Sequence, residues 1–523
     1  MEAARNFVRP SRGGPSTALA PRKTMTPPPD PNVGDSWDWY IWMLNGQPQA
    51  VIRSCTVRGE GASCYVVVED SQWNVNVNQE QVDTILARFE SHTPGPYPDL
   101  GIYDLDTLAF GLPPDELDND PKIYILYYDF DVPSDGFFWY FDEYPDGTVP
   151  YASNECEVVY INCSDYDVAG EYLLAVVAHE FEHMIHWNMD EDEDLWVDEG
   201  CAELAMWLYG NPDFISGFNQ NPNDPLVTWG YNWTDYIQTY LWTLYFYEQY
   251  GGIPSIRRVV AEPRNSTLGY DFVLSSLGYG VDFTDVFGDW VVANFLDDTT
   301  LADGRYGYVG DDLPPFIAVN HSTYPVGPVN TNVAITACKY RRLTDGSPMD
   351  LHFDGSDDAA WKPRVIYYSN GVPVDVGEIP LDGSNAGTVF LSGFGIEHDT
   401  VVAAFAHASP SGSNSMSFWT AWSTGVEAGA VPLARLEPNA PNPFNPSTEI
   451  VFSLERDGEA VLRIHDAAGR VVRTLIDGPV PAGEQRVVWD GRGEGGLDLP
   501  SGVYFYRLDA DGTSRARKMT LVR

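Results

Sequence analysis

The run AHEFEHMIHW carries His179, Glu180 and His183. Residues i and i+4 share one face of a helix, so the two imidazoles can converge on a single metal ion. Glu180 is turned about 100° from that line, where its carboxylate reaches a water on the metal rather than the metal itself. A tetrahedral zinc centre that does chemistry takes three protein ligands and keeps a fourth position open. His186 lies on nearly the same face as His179, but seven residues climb about 10.5 Å along a helix. That is too far for both rings to hold one ion at about 2.1 Å. Glu199, in LWVDEGCAELAMW, is the better third ligand, because the stretch after His183 leaves room for a turn and an antiparallel return. Glu203, one helical turn on, suits acceptance of a ligand histidine's ring N–H, with Asp198 able to do the same and His186 left as an outer or surface residue. The acidic run DEDED (190–194) between the two helices reads as a solvated loop or as a calcium site.

These residues need elements to hold them. A helical period over about Val168–Trp187 has Leu173, Leu174, Val177, Phe181, Met184 and Ile185 as its apolar face. Further helices fit Leu195–Tyr209 and Thr234–Tyr250, the last ending at Gly251-Gly252. Upstream, a helix fits Asn78–Ser91 with Asn78 as N-cap, and the runs 122–130 and 156–164 suit buried strands. Helical text ends near Leu296. Short strands between turn signals then fill the chain from about Asn320, as in an antiparallel sandwich.

The expected organisation is therefore a disordered leader at 1–34, an α+β domain at 35–318 and a β-sandwich at 319–426. The α+β domain holds its sheet before about 188 and is mainly helical after it. A linker at 427–435 leads to an all-β module at 436–523.

The net charge of −46, from 76 acidic and 30 basic residues, repels phosphate backbones and so excludes nucleic acid as a partner. No stretch approaches the ~18 apolar residues of a membrane span. Met1–Lys23 is basic but has no apolar h-region, so no signal peptide is read there. Of the six cysteines, Cys55 with Cys64 or Cys156 with Cys163 could bridge, while Cys201 and Cys338 read as small buried residues.

H-E-x-x-H followed by a glutamate on a second helix resembles the gluzincin metallopeptidases. The wider text AVVAHEFEHMIHW and LWVDEGCAELA, with the opening GDSWDW and the helix DYIQTYLW, resembles the hyicolysin-type and immune-inhibitor-A-like secreted bacterial peptidases. That likeness implies a zincin-like fold and zinc-dependent hydrolysis of protein or peptide substrates. In it Glu180 is the general base, and Tyr236 or Tyr240 (His321 more weakly) is the oxyanion donor. Asp198-Glu199-Gly200 stands where the family has Asn-Glu-Gly.

EPNAPNPFNPSTEIVFSL, VLRIHDAAGRVVRTL and SGVYFYRL are similar to the FlgD-like immunoglobulin module, also seen as a type IX secretion sorting domain. This implies an extracellular or cell-surface protein, attached or exported through its C-terminus. Such a route needs an N-terminal signal, which places the expected start upstream. A secreted, monomeric zinc endopeptidase is the leading expectation. An aminopeptidase, a glycoprotein-directed peptidase and a surface adhesin with a degenerate zincin domain are its alternatives.

Overall fold

The computed structural model describes residues 30–523 except 46–48, 116, 119, 165, 424–433, 455, 467–469 and 511–512. Most of the leader and of the linker thus lies outside the described residues. The leader's last residues join the fold, since Gly34 N–H donates to the Val57 carbonyl at 2.9 Å.

The strand-rich opening builds one six-stranded sheet. Its strands are β1 (Ser36–Met43), β2 (Gln49–Glu60), β3 (Cys64–Glu69), β4 (Ile123–Tyr128), β5 (Gly136–Phe138) and β6 (Val158–Asn162). The spatial order is β1-β2-β3-β4-β6-β5. β3, β4 and β6 run parallel, and β5 returns antiparallel to β6 as the edge. β-branched and aromatic residues make β3, β4 and β6 buried throughout, as a sheet covered on both faces requires.

Strand alternation sorts the side chains between the two faces. Val66, Ile125 and Ile161 meet the helices, whereas Val67, Tyr124 and Tyr160 meet an aromatic layer with Trp37, Trp39 and Trp139. The same alternation corrects both disulfide expectations. Cys64 and Cys163 lie on the helical face and Cys55 and Cys156 on the other, so neither pair can meet, and all six cysteines are buried.

Helix α1 (Gln79–Glu90) starts at an Asn78–Gln81 capping box, and α2 (Ile102–Ala109) follows it. Helices α3 (Glu171–Met189) and α4 (Leu195–Tyr209) carry the proposed ligands, and α4 ends at Gly210 in the left-handed region (φ 108°). Then come α5 (Trp233–Gln249), α6 (Ile253–Val260), α7 (Thr267–Leu277) and α8 (Phe283–Leu296).

The next region is two facing sheets. Its strands are β7 (Val319–His321), β8 (Val329–Asn332), β9 (Ala337–Thr344), β10 (Met349–Gly355), β11 (Arg364–Ser369), β12 (Val372–Glu378), β13 (Ala386–Leu391), β14 (Thr400–His407) and β15 (Ser415–Ala421). They are ordered β13-β10-β15-β8 and β12-β11-β14-β9-β7. One face of the five-stranded sheet packs on α8: Cys338, Tyr340, Ile366 and Val402 belong to the same core as α3 and α4. Tyr340 O–H donates to the Val291 carbonyl at 2.5 Å, and Lys362 pairs with Asp285 at 2.6 Å. The sandwich and the helical half therefore share one apolar core.

The C-terminal module has its own core, with Phe452, Leu462, Trp489 and Tyr506 fully buried. It holds β16 (Ala434–Leu436), β17 (Thr448–Leu454), β18 (Gly458–Asp466), β19 (Val471–Val480), β20 (Gly483–Trp489), β21 (Gly502–Ala510) and β22 (Thr513–Leu521). These form sheets β16-β17-β20 and β19-β18-β21-β22. The chain is thus multidomain and mostly β, with eight α-helices among the described residues.

Candidate metal centre

α3 and α4 are buried along nearly their whole length; they pack against each other, and α4 packs against α5. Close packing of α4 on α5 depends on Gly200: a Cβ there would meet Thr243 Oγ1 at 2.5 Å and the Thr239 carbonyl at 3.1 Å. This holds the segment that carries Glu199 close to α5.

His179 Nε2 and His183 Nε2 lie 3.1 Å apart, and Glu199 Oε2 is 3.6 Å from each. Ligand atoms about 2.1 Å from a tetrahedral ion stand about 3.4 Å from one another. The three atoms thus form one face of a zinc-sized tetrahedron. The outer nitrogens fix the tautomers. His183 Nδ1 lies 2.9 Å from Asp198 Oδ1, and His179 Nδ1 lies 3.5 Å from Glu203 Oε1. The His183 Nδ1 contact is a hydrogen bond, and with Nδ1 donating to Asp198 the His183 Nε2 lone pair is aimed at the common point; the Glu203 carboxylate stands opposite His179 Nδ1 at ion-pair distance. Two facing lone pairs and a carboxylate form a donor set that a divalent cation satisfies. Burial alone would raise the Glu199 carboxyl, but the charges and hydrogen bonds of His183 and His179 hold it down at about 2.

Asp198 makes the shorter of the two outer contacts. His186 stands outside the ligand set, as its rise along α3 requires, and it is 1% exposed rather than on the surface. Its Nδ1 lies 3.1 Å from Glu182 Oε1 and 3.6 Å from Asp198 Oδ1. Burial lowers the His186 pKa, yet Glu182 and Asp198 raise it overall, so the ring is stabilised as a cation between two buried carboxylates. Glu182 belongs to this network but gave no sequence signal, because it lies within the motif at a position where any residue fits the pattern.

Glu180 lines the cleft beside the ligands, together with Ser134, Asp135, Gly136, Phe137, Phe138, Val176 and Tyr236. β5 forms the wall. Gly136 lets it approach α3: a Cβ there would meet Glu180 Cγ and Val176 Cγ1, each at 2.9 Å. Of the two tyrosines expected from α5, only Tyr236 lines the cleft. Tyr240 is fully buried and donates its hydroxyl to Asp311 Oδ2 at 2.7 Å, so it is held away from the ligands. His321, on β7, contacts the Phe418 ring inside the sandwich. Among the described residues the side chains of the DEDED run join no close group of three metal-ligating atoms. Glu193 there accepts the backbone N–H groups of Asp194 and Ser266.

No curated protein matches the chain. Among solved structures it is similar to PorZ, a surface component of the type IX secretion system of Porphyromonas gingivalis, at 21% identity with a TM-score of 0.14, covering 21% of this chain and 14% of PorZ. It is similar to FlgD of Pseudomonas aeruginosa at 23% identity with a TM-score of 0.12, covering 14% of this chain and 58% of FlgD. Latent PorU of Porphyromonas gingivalis overlaps at 17% identity with a TM-score of 0.17, covering 34% of this chain and 18% of PorU. The chain thus spans less than two thirds of each of these structures. No helix among the described residues is long and apolar enough to cross a membrane. The FlgD Ig-like domain family matches residues 444–514, and the C-terminal module is an FlgD-like immunoglobulin domain.

Proposed function

We propose that the chain is a zinc-dependent peptidase of zincin type, exported to the cell surface or the medium and acting on proteins or peptides. The observation that carries this reading is the convergence of His179 Nε2, His183 Nε2 and Glu199 Oε2, with Glu180 beside them in an open cleft. Bound zinc supplies Lewis acidity, which makes water acidic near neutral pH and polarises a carbonyl. Glu180 takes the proton from the attacking water and delivers it to the leaving amine. Tyr236, in the cleft wall, is the residue positioned to donate to the developing oxyanion. Asp198 and Glu203 keep the two histidines in the ligand tautomer.

β5 pairs with β6 on one side only, so its outer edge can take an extended peptide as an added strand beside Glu180. Such backbone recognition suits cleavage within a chain, which favours an endopeptidase. The FlgD-like domain supports the extracellular part of the reading and a contact with secretion machinery or the cell surface.

The test is proteolysis of an unfolded protein by wild type and Glu180→Ala, with zinc measured in both. Wild type should cleave with one zinc per chain. Glu180→Ala should keep the zinc and lose roughly 10²–10⁴-fold in rate. Zinc-loaded wild type that cleaves neither protein nor peptide would leave a non-catalytic surface protein as the better reading.

A further inference from the structure

Of the charged residues that line the cleft, Asp135 is the one that the zinc reading leaves unused. It directly precedes Gly136, the residue of β5 that approaches Glu180. Its backbone is held in place. The Asp135 carbonyl accepts the Asn162 N–H at 2.8 Å, and the Ser134 carbonyl accepts from Asn162 Nδ2 at 2.9 Å, which ties the start of β5 to the end of β6. The residue is only 3% exposed. Its Oδ2 accepts the hydroxyl of Tyr172, in the first turn of α3, at 2.5 Å. Its Oδ1 is buried and, among the described residues, has no hydrogen-bond partner.

A carboxylate oxygen kept from water without a donor lacks the stabilisation that a charged group in a dry site needs. No residue of the cleft supplies it: the lining holds Asp135, Glu180 and Glu199 but no lysine or arginine. Glu199 has the two imidazoles, and Glu180 has the water of the proposed reaction. Asp135 is left as a fixed negative charge beside the edge that an extended substrate would join. Its complement is a cation brought by that substrate.

We propose that Asp135 gives the chain a preference for peptides with a lysine close to the scissile bond, an inference that rests on the peptidase reading above. The carboxylate discriminates among cations by how much of it is free. An arginine guanidinium binds a carboxylate best through two parallel hydrogen bonds, which need both oxygens. Tyr172 occupies one of them. A lysine ammonium is a point charge that the single open oxygen satisfies. Its long apolar stem suits a cleft that also presents Phe137, Phe138 and Val176. The ammonium at a peptide's N-terminus has the same charge but no stem, and the depth of Asp135 favours the side chain.

The test gives the zinc-loaded full chain internally quenched peptides in which one lysine is moved stepwise along both sides of the cleaved bond. Each is compared with norleucine, which keeps the stem without the charge, and with arginine. At one position wild type should favour lysine over norleucine by about 10- to 100-fold in kcat/KM, the span of one charged hydrogen bond, with arginine between them. Asp135→Asn keeps an acceptor for Tyr172, so it should hold its zinc while the lysine-to-norleucine ratio falls close to 1. Tyr172→Phe frees the second oxygen and should raise arginine relative to lysine. Fluorescence anisotropy of labelled peptides on Glu180→Ala should show the same preference for lysine in binding, a readout that needs no cleavage. Equal values for lysine and norleucine in wild type, or a preference that Asp135→Asn retains, would overturn the inference and leave the peptidase reading standing. A preference that vanishes when the peptide N-terminus is acetylated would assign Asp135 to a free amine and overturn it equally. Lysine-dependent binding that Asp135→Asn abolishes, with no cleavage of any peptide by wild type, would uphold the recognition and sink the peptidase reading instead.

Discussion

Glu199 and Glu157 are both buried glutamates a few residues from an acidic neighbour, yet their carboxyls are displaced in opposite directions, one held at about 2 and the other pushed up to about 8. Burial opposes the charge in both. The difference lies in what stands opposite. Glu199 faces two imidazoles whose outer nitrogens are anchored by Asp198 and Glu203, whereas Glu157 faces Asp118 and, farther out, Glu143. Nitrogen donors opposite a carboxylate favour its charge, whereas a second carboxylate opposes it. The same residue type, buried in both places, is thus displaced by what faces it.

Replacing the two glutamates one at a time should separate their effects. Glu199→Gln should lower zinc affinity by more than the roughly 10–100-fold typical of losing an outer hydrogen-bond partner. Glu157→Gln should leave zinc affinity unchanged. The pH dependence adds a sign. A glutamate raised from 4.5 to about 8 contributes stability below pH 4.5 that is lost as pH rises through 8. Wild type should therefore lose stability across that window and Glu157→Gln should lose less, as pH-resolved thermal melts would show. Equal slopes in the two proteins would mean that Glu157 does not carry the titration.

The outer contacts make the next, smaller contrast. Asp198→Asn keeps the shape but weakens the acceptor for His183 Nδ1, so zinc affinity should fall about 10–100-fold. His186→Gln removes a ring that touches Glu182 and Asp198 but no ligand directly, so zinc affinity should fall less. Competition with a chromophoric chelator would rank them, and a larger loss in His186→Gln would place His186 closer to the metal than its helix position allows.

The convergence of His179, His183 and Glu199 was legible because most of its geometry is local. The i, i+4 spacing of His179 and His183 needs nothing but a helix, and the apolar period over Leu173–Ile185 supplies it. Glu199 needed one further step, the antiparallel return of α4. Glu157 and Asp118 come from segments that sheet topology alone brings together: β6 pairs with β4, which carries Glu157 toward Asp118. No period in the sequence encodes that pairing. The cysteine pairs failed for a related reason, since nearness along the chain says nothing about which face of a sheet each residue takes. Tyr236 and Tyr240 lie one helical turn apart, and only the packing of Asp311 against α5 distinguishes them.

The smallest expected effect falls on the strand that lines the cleft. Gly136 is not itself a ligand, but a Cβ there would press on Glu180 Cγ and Val176 Cγ1, each at 2.9 Å. Neither neighbour is a flexible tip, so Gly136→Ala should move β5 outward rather than be absorbed by a rotamer change, at about 1–3 kcal/mol. Zinc content should stay at the wild-type level. Peptide cleavage should fall through a raised KM, because the displaced strand presents its edge at the wrong height to an extended substrate. If kcat fell with KM unchanged, Gly136 would act on the position of Glu180 and not on substrate binding, and the wall formed by β5 would belong to the chemistry itself.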